Sequence, residues 1–307
     1  MTPSGHAVTV RSLAKGVALA SLACLAYGIV VERDAFVLRR VTVPVLKAGQ
    51  APLRVLHLSD LHLTNDRTRL VRWVDGLAAL RPDLVVNTGD NIGSAKAIGS
   101  LLKAYGRLFD TPGVFVFGSN DLYGPRPVNP LSYLGVGPTL GKTRSTLPSD
   151  ELRDALTGHG WLDVEHVRTT LRLDGRNVEV RGTPDGHLDL DDYSRIAGPP
   201  APGTDVSLLV THAPYRRLLD AATRDSVDLL FAGHTHGGQV CVPWYGALTT
   251  NCDLETDRVK GLSRHDYQGR SSWLHVSAGL GTAPTAPFRF ACRPEATLLT
   301  LVDRDVS

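Results

Sequence analysis

The stretch LRVLHLSDLH, residues 53–62, joins a short apolar segment to two residue types that bind metals. The segment Leu53 to Leu58 predicts a buried β-strand, and Asp60 and His62 follow where that strand ends. Their i, i+2 spacing places both side chains on one side of an extended segment or sharp turn, from which they can chelate one centre. The stretch therefore predicts an α/β fold with a polar crevice at the carboxyl ends of its strands.

Four further polar runs repeat this arrangement along the chain, and most of them follow an apolar segment. They are Gly89-Asp90-Asn91, Gly118-Ser119-Asn120-Asp121, Thr211-His212 and Gly233-His234-Thr235-His236. Two neighbouring divalent ions need carboxylate, imidazole and amide ligands, with one carboxylate shared between the ions. Two carboxylates against the charge of two ions leave the site electropositive, which suits a phosphate ester. The five runs together predict a two-metal phosphoesterase site.

The five runs resemble the pattern of the calcineurin-like metallophosphoesterase family, which reads D-x-H, G-D-x, G-N-H-[DE], x-H and G-H-x-H in that order. The likeness extends from about Leu53 to Glu295. It implies a four-layer α/β/β/α sandwich, and a hydrolase of phosphoester or pyrophosphate bonds that uses a hydroxide bridging two divalent ions, such as manganese, iron or zinc. The resemblance assigns Asp60, His62 and His236 to the first metal, Asp90 to the bridge, and Asn120, His212 and His234 to the second metal.

The later part of the chain carries a finer resemblance, to the membrane-associated bacterial branch of that family. Its residues lie in Ser277 to Thr282, Pro287 to Arg289 and Cys292 to Glu295. The branch includes phosphodiesterases similar to UDP-2,3-diacylglucosamine pyrophosphatase, which implies a lipid-linked or nucleotide-lipid substrate. Two alternatives stay open: a non-catalytic metal-binding scaffold that keeps the fold, and a nucleotide phosphodiesterase or protein phosphatase.

The third run departs from the family pattern. A gapless alignment puts Ser119 at the ligand position, whereas a slip of one residue makes Asn120 the ligand and leaves Asp121 where the family has a histidine. We favour the slip, because an amide oxygen is a better ligand for a divalent ion than a neutral hydroxyl. The family's histidine assists the leaving group, so its absence favours pyrophosphates or activated diesters over simple monoesters. Asp121 becomes a candidate catalytic residue in its place.

Two further residues are candidates for the catalytic step. His187 lies in the turn-rich run Gly182 to His187, and it is a candidate to contact substrate or to replace the lost acid. Arg289 is a candidate phosphate contact, because the family resemblance places its loop near the site. The alternatives are an ordinary turn histidine and a surface guanidinium. His57, inside the first strand, is predicted to be a packed core histidine.

The front of the chain predicts a membrane anchor. Leu13 to Val31 is apolar except for Lys15 and small residues, and a helix of this length spans about 28 Å, close to a bilayer core of roughly 30 Å. A cleaved signal peptide is the alternative, with Ser21 to Ala23 as the cleavage site. We therefore expect residues 1–31 to form an anchor or signal and 32–307 the phosphoesterase domain. The expected location is the cell membrane in a single pass of open orientation, or outside the cell after cleavage.

Composition fits a globular enzyme and argues against binding to nucleic acid. Of 307 residues, 42% are hydrophobic and 21% charged, and the net charge of +2 is too small for the basic surface that nucleic acid requires. The expected partners are a phosphorylated small molecule or lipid and the membrane, and the oligomeric state stays open. The cysteines leave two alternatives, a disulfide between Cys252 and Cys292 or free buried thiols.

The remaining pattern alternates strands and helices. Apolar spacing predicts helices at Thr68 to Leu80 and near Ala95 to Leu108, with strands at Leu84 to Asn87 and Val114 to Phe117. Leu171 to Val180 predicts a hairpin that turns at Asp174-Gly175. This order favours two sheets faced by helices. The stretch from Leu122 to Pro148 is predicted to be a lid or a disordered insertion.

Overall fold

Fourteen β-strands and six α-helices make up the part of the chain described by a computed structural model, residues 4–64, 67–125, 145–282 and 285–305. The helices are α1 (Ser4–Val30), α2 (Thr68–Gly76), α3 (Ile98–Tyr105), α4 (Ser119–Leu122), α5 (Ser149–Gly158) and α6 (Arg216–Arg224). The strands are β1 (Val37–Leu46), β2 (Leu53–Leu58), β3 (Leu84–Asn87), β4 (Gly113–Phe115), β5 (Leu162–Asp163), β6 (Arg168–Leu173), β7 (Arg176–Gly182), β8 (Val206–Val210), β9 (Leu229–Ala232), β10 (Cys241–Val242), β11 (Gly246–Ala247), β12 (Gly261–Tyr267), β13 (Arg270–Val276) and β14 (Glu295–Asp303).

The strands form two six-stranded sheets and one short hairpin, β10–β11. The first sheet has the order β1-β14-β2-β3-β4-β5, in which β2 to β5 run parallel and β14 lies antiparallel to β2. The second sheet has the order β12-β13-β9-β8-β7-β6, in which β7, β8, β9 and β13 run parallel. The parallel strands of both sheets deliver the polar runs at their carboxyl ends.

Three apolar cores hold four layers together. Valine and leucine side chains from the inner faces of both sheets pack against each other, among them Val55 and Val86 of the first sheet and Val180 and Leu208 of the second. The outer face of the first sheet packs against α2, α3 and α5, and the outer face of the second packs against α6. The four-layer α/β/β/α architecture is thereby confirmed.

The predicted elements agree with the structure apart from their ends. The helix predicted from Thr68 to Leu80 is α2 followed by a 3₁₀ turn over Leu77–Leu80, and it ends before Pro82 as expected. The predicted hairpin is the pair β6 and β7, whose turn residues Asp174 and Gly175 have φ of 46° and 79°. The predicted lid between Leu122 and Pro148 lies largely outside the described residues, which omit 126–144.

The first helix projects from the rest of the molecule. Its apolar window, Ser12–Asp34, is long enough to cross a membrane, and only 6% of that window is buried. A signal segment near the N-terminus would have the same length and composition. After the helix, β1 pairs in parallel with β14, so that Val37 lies opposite Glu295. The boundary predicted at residues 31 and 32 stays a prediction.

Candidate metal centre

The polar runs meet where the carboxyl ends of both sheets come together, and their backbone is unusual there. Five of the seven predicted ligands have positive φ angles: Asp60 (51°), His62 (41°), Asp90 (54°), His234 (67°) and His236 (49°). Residues other than glycine adopt this left-handed conformation uncommonly, although Asp and His tolerate it better than most. Such backbone costs on the order of 1 kcal/mol per residue and clusters at functional sites.

Three of these residues form what we call the first ligand group: Asp60, His62 and His236. The Nε2 atoms of the two imidazoles lie 3.1 Å apart, with the rings stacked at 4.9 Å between centroids. Asp60 Oδ1 lies 4.0 Å from His62 Nε2 and 3.8 Å from His236 Nε2. Because three donor atoms face one another over these distances, the group meets the requirement for holding a metal ion.

The second ligand group comprises Asp90, Asn120, His212 and His234. Asp90 Oδ2 lies 3.5 Å from His212 Nε2 and 2.7 Å from the Asn120 carboxamide nitrogen. His234 Nδ1 lies 3.3 Å from His212 Nε2. Asp60, Asp90 and His212 also form a cluster close enough to hold an ion, so that Asp60 belongs to both candidate clusters.

The backbone orients the imidazoles of the second ligand group. His212 Nδ1 lies 2.7 Å from the carbonyl oxygen of Thr88, and His234 Nε2 lies 3.1 Å from that of Asn251. Since a carbonyl only accepts, each of these ring nitrogens donates its proton there. The other nitrogen of His234, Nδ1, is then free of a proton and directed at the site, as in many metal-ligating histidines, while Nε2 of His212 faces the Asp90 carboxylate.

A buried chain of hydrogen bonds supports Asp60 of the first ligand group. The Ser59 hydroxyl donates to Asp60 Oδ2 (2.5 Å), and Thr88 Oγ1 donates to Ser59 Oγ (2.7 Å). His57 Nε2 lies 3.0 Å from Thr88 Oγ1, and His57 Nδ1 lies 2.8 Å from His275 Nδ1. His57 is thus a packed core histidine, but it also belongs to a polar network beneath the site.

Burial and charge set the protonation of the ligands. Burial lowers the pKa of His62, His234 and His236, that of His234 to about 3, so these imidazoles are neutral. Burial opposes a charge on His212 as well, but the Asp90 carboxylate raises the pKa of His212 well above its usual value. Burial alone would raise the pKa of Asp90, yet His212 and its other neighbours hold it well below its usual range.

The third run places Asn120, rather than Ser119, beside the bridging carboxylate. The Asn120 backbone N–H donates to Asp90 Oδ1 (2.7 Å), and its carboxamide reaches Asp90 Oδ2. Ser119 is buried, and its backbone N–H donates to Asp185. This arrangement supports the slipped alignment, in which Asn120 supplies the amide ligand, and that role stays a prediction.

Asp121 does not lie where a proton donor is needed. Its carboxylate is fully buried, and it accepts hydrogen bonds from the backbone N–H groups of Asn91 (2.7 Å), Ile92 (3.3 Å) and Gly118 (3.1 Å). Burial, with the Asp90 charge, raises the pKa of Asp121 to about 7. Both carboxyl oxygens are occupied, so the geometry disagrees with the predicted catalytic role. Asp121 instead ties the third run to the second.

Arg289 likewise differs from its prediction. Its guanidinium is fully buried and donates to the carbonyl oxygens of Gly281 (2.6 Å), Ala278 (2.7 Å) and Gly279 (3.2 Å). It also lies 3.3 Å from the carbonyl oxygen and from Nδ1 of His236. Because its donors serve the backbone, Arg289 is not available as the predicted phosphate contact. It clamps the loop behind His236.

His187 lies at the edge of the site, as the sequence allows. Its half-buried ring sits 4.6 Å from the ring of His234, and its Nδ1 lies 3.1 Å from the Tyr215 hydroxyl. Asp185, two residues earlier, was not predicted from the sequence. It is buried and accepts the backbone N–H groups of His187 (2.8 Å) and Ser119. Asp185 lies three residues after the end of β7, and that position after a buried strand is the signal that the sequence offers.

Of the two alternatives for the cysteines, the structure agrees with free thiols. No disulfide forms among the four cysteines, all of which lie in the described residues. Cys292 pairs with Cys241 rather than Cys252: the two thiols hydrogen-bond each other, and both sulfurs lie 3.3 Å from the carbonyl oxygen of Gly237. This pair packs directly behind His236.

Comparison with known proteins points to one kind of site. The profile of the family described as calcineurin-like phosphoesterase matches residues 53–238, more than half of the chain and all five runs. The chain is 28% identical over 259 residues to the uncharacterized metallophosphoesterase YkuE of Bacillus subtilis, covering 80% of this chain and 76% of that protein. It is 27% identical over 278 residues to the phosphodiesterase YaeI of Escherichia coli, covering 87% and 88%. It is 26% identical over 268 residues to a transmembrane protein with a metallophosphoesterase domain from Bos taurus, covering 85% of this chain and 56% of that one.

Proposed function

Because the chain belongs to the calcineurin-like phosphoesterase family, we propose that its ligand groups hold two divalent ions and that it cleaves phosphodiester or pyrophosphate bonds. The observation that carries this proposal is the position of Asp90, whose Oδ2 lies 3.4 Å from His62 Nε2 and 3.5 Å from His212 Nε2. One carboxylate oxygen thus stands between the two ligand groups, as the shared ligand of a two-metal centre must. At the level of the family, the enzyme is a hydrolase of phosphoesters that depends on a divalent metal centre.

The protein's own residues position the reacting groups and shield them from solvent. Bound divalent ions supply Lewis acidity to the phosphoryl oxygens and to the water that reacts. His62, His234 and His236 are neutral and can act as ligands without first losing a proton. We propose His187 as the residue that protonates the leaving oxygen, since its ring lies at the half-buried edge of the site and Tyr215 fixes its orientation.

The altered third run supports diesters and pyrophosphates as the substrate class. The family's histidine is absent, and Asp121, which follows Asn120, is turned into the protein. A site with a weaker proton donor favours leaving groups that need less help. A lipid-linked substrate is supported by α1, whose composition suits a membrane and whose last turn contacts the loop that bears Arg289.

The test is hydrolysis of bis(4-nitrophenyl) phosphate by the purified full chain, with manganese, iron or zinc added after treatment with a chelator. We expect activity only with added metal, and about two ions per chain by elemental analysis. Asp90→Asn should lose at least one ion together with activity, whereas Asp154→Asn, an exposed carboxylate on α5, should change neither. Full activity in chelator would refute the proposal, and bound metal without any hydrolysis would favour the scaffold alternative.

A further inference from the structure

Exposed apolar side chains are concentrated in one short segment, residues 240–248, which we call the apolar hairpin. It contains β10 and β11, and its exposed members are Val240, Val242, Trp244, Tyr245 and Leu248. Trp244 is 104% exposed and Tyr245 76%. Elsewhere in the described residues, beyond Val31, the large exposed hydrophobic residues occur singly. A cluster of this kind marks an interaction surface rather than ordinary surface composition.

The backbone holds the tryptophan outward. Trp244 has φ of 65°, in the left-handed region that bulky residues rarely enter. Two residues later, Gly246 has φ of 103°, and β10 and β11 pair on either side through Cys241 opposite Ala247. Such a conformation costs on the order of 1 kcal/mol and persists only where the surrounding structure determines it, so the hairpin fixes the position of Trp244.

The apolar hairpin lies beside the end of α1. The Cys241 N–H donates to the carbonyl oxygen of Phe290 (2.8 Å), and the Phe290 N–H donates to Gln239 (3.1 Å). The Phe290 ring meets the ring of Tyr27 edge to face at 6.4 Å. Tyr27 lies three residues before the end of α1, about 4.5 Å along the helix axis. The base of the apolar hairpin is therefore level with the last turn of α1.

This position is fixed rather than loose. The buried carboxylate of Glu32, just after α1, accepts the backbone N–H groups of Ala291 (3.0 Å) and Cys292 (2.6 Å). The Arg289 N–H reaches the carbonyl oxygen of Gly28, and a Cβ on Gly28 would lie 2.5 Å from the Arg289 oxygen. The helix end and the loop that carries the hairpin therefore move as one piece.

Basic side chains lie around the same helix end. Arg69 is 3.9 Å from Asp34 and largely exposed, and Arg293 donates to the carbonyl oxygen of Ala35 (2.8 Å). Arg72 lies beside Arg69 at the surface. Clustered basic residues next to a membrane span attract the phosphates of lipid headgroups.

We propose that the apolar hairpin inserts into the lipid interface at the end of α1, with Trp244 and Tyr245 at the level of the headgroups. Tryptophan and tyrosine prefer this depth because an apolar ring and a polar group meet there. The hairpin directly follows the metal-ligand candidate His236 and a 3₁₀ turn over His236–Gly238, so the interface lies beside the ligand groups. A phosphate attached to a lipid would reach the site without leaving the bilayer. This inference rests on the lipid-linked substrate of the proposed function and on α1 as a membrane span.

Insertion can be measured without catalysis. The full chain is reconstituted into vesicles of phosphatidylcholine and phosphatidylglycerol with brominated acyl chains, which quench nearby tryptophan fluorescence. The chain has four tryptophans. We expect Trp244→Phe to lower the quenching of tryptophan fluorescence by roughly twofold or more. The control Trp273→Phe, on β13 of the second sheet, should keep it. Equal quenching in wild type and Trp244→Phe would overturn the proposal.

A second measurement separates this proposal from the proposed function. Trp244→Ser with Tyr245→Ser should leave hydrolysis of bis(4-nitrophenyl) phosphate unchanged, and should raise the apparent KM for a lipid-anchored phosphodiester in vesicles by roughly tenfold. The matched control replaces two exposed apolar residues outside the apolar hairpin, Leu162 of β5 and Val167 just before β6, with serine. If the wild type hydrolysed neither substrate, the proposed function would be refuted. The quenching measurement would still test whether the apolar hairpin inserts into lipid. A dimer in detergent that the Trp244 and Tyr245 changes dissociate would assign the hairpin to chain association and overturn the proposal.

Discussion

The two ligand groups of the metal centre meet the same chemical need by different means. In the first ligand group all three residues have left-handed backbone, and their sequence matches the family pattern fully. In the second, Asn120 lies in the short helix α4, and its run departs from that pattern. Buried carboxylates of Asp121 and Asp185 hold that run in place through backbone N–H groups. Left-handed backbone thus occurs at every residue of the first group, whereas in the second it occurs at Asp90 and His234, and buried carboxylates support the run that carries Asn120.

This difference predicts that the first ligand group is harder to replace and that the run carrying Asn120 is easier to adjust. A ligand held by strained backbone has few alternative positions, because its neighbours already determine its φ and ψ angles. A ligand held by side-chain hydrogen bonds can shift when one support is removed, at a cost of about 1 to 3 kcal/mol. This agrees with the sequence, in which the third run departs from the family pattern and the first run matches it.

The largest expected effects come from two glycines that lie against opposite ligand groups. A Cβ on Gly233 would meet Ser59 Oγ at 1.9 Å and Asp60 Oδ2 at 2.6 Å, and one on Gly118 would meet Asp90 Oδ1 at 2.2 Å. We expect Gly233→Ala to remove both metals and at least roughly 10³-fold of activity, because Asp60 belongs to both clusters. Gly118→Ala should lose mainly the ion of the second ligand group, because its Cβ would also lie 2.6 Å from the ring of His212, which belongs to that group alone. Elemental analysis and hydrolysis assays test this, and equal metal loss in both variants would remove the contrast.

A smaller effect is expected within the third run. Asn120→Ala should lower occupancy of the second metal by roughly 10-fold to 100-fold, since it removes the amide beside Asp90. Ser119→Ala should be mild, because its hydroxyl makes only a 3.4 Å contact with Asn120. Metal titration monitored by calorimetry distinguishes the variants. A severe defect in Ser119→Ala with a near-normal Asn120→Ala would restore the gapless alignment.

His187 should produce a moderate effect that depends on the substrate. If it protonates the leaving oxygen beside the second ligand group, His187→Gln should lower kcat by roughly tenfold or more for diesters with poor leaving groups, and less for nitrophenyl diesters. Metal content should not change. Tyr215→Phe keeps the ring but removes the hydroxyl 3.1 Å from His187 Nδ1, and it should give a weaker version of the same pattern. A uniform decrease across all leaving groups would exclude the proton-donor role.

Much of this site could be predicted from the sequence, because ligand chemistry depends on residue type and on position after a strand. Asp60, His62, Asp90, His212, His234 and His236 follow that pattern, and the structure brings all six together. Asp121 and Arg289 have the right chemistry for catalysis, but both are buried and hydrogen-bond to backbone groups, so they support loops instead. Those partners come from distant segments, so no local pattern reveals them. The part of Asp185 likewise depends on a distant segment, because its carboxylate accepts the backbone N–H of Ser119 in the third run.

The smallest expected effect concerns stability and the buried histidines beneath the first ligand group. Burial lowers the pKa of His275 to about 3 and that of His57 well below 6.5, so both are neutral in the folded protein. The unfolded chain binds a proton at each of these histidines below about pH 6.5. The contribution of the two neutral imidazoles to stability is therefore fully present only above that pH. It is lost as the pH falls toward 3, by about 1.4 kcal/mol per pH unit for each histidine.

His275→Asn should therefore reduce the fall in unfolding free energy between pH 6.5 and pH 4.5 by about 1.4 kcal/mol per pH unit, because the unfolded variant binds one proton fewer. Urea denaturation of the metal-free protein in detergent, followed by tryptophan fluorescence, measures this slope. His159→Gln removes an exposed imidazole and serves as the control. An unchanged slope in His275→Asn would mean that the hydrogen-bond network from His275 to Asp60 opens below pH 6.5. In that case the first ligand group would lose the rigid support that distinguishes it from the second.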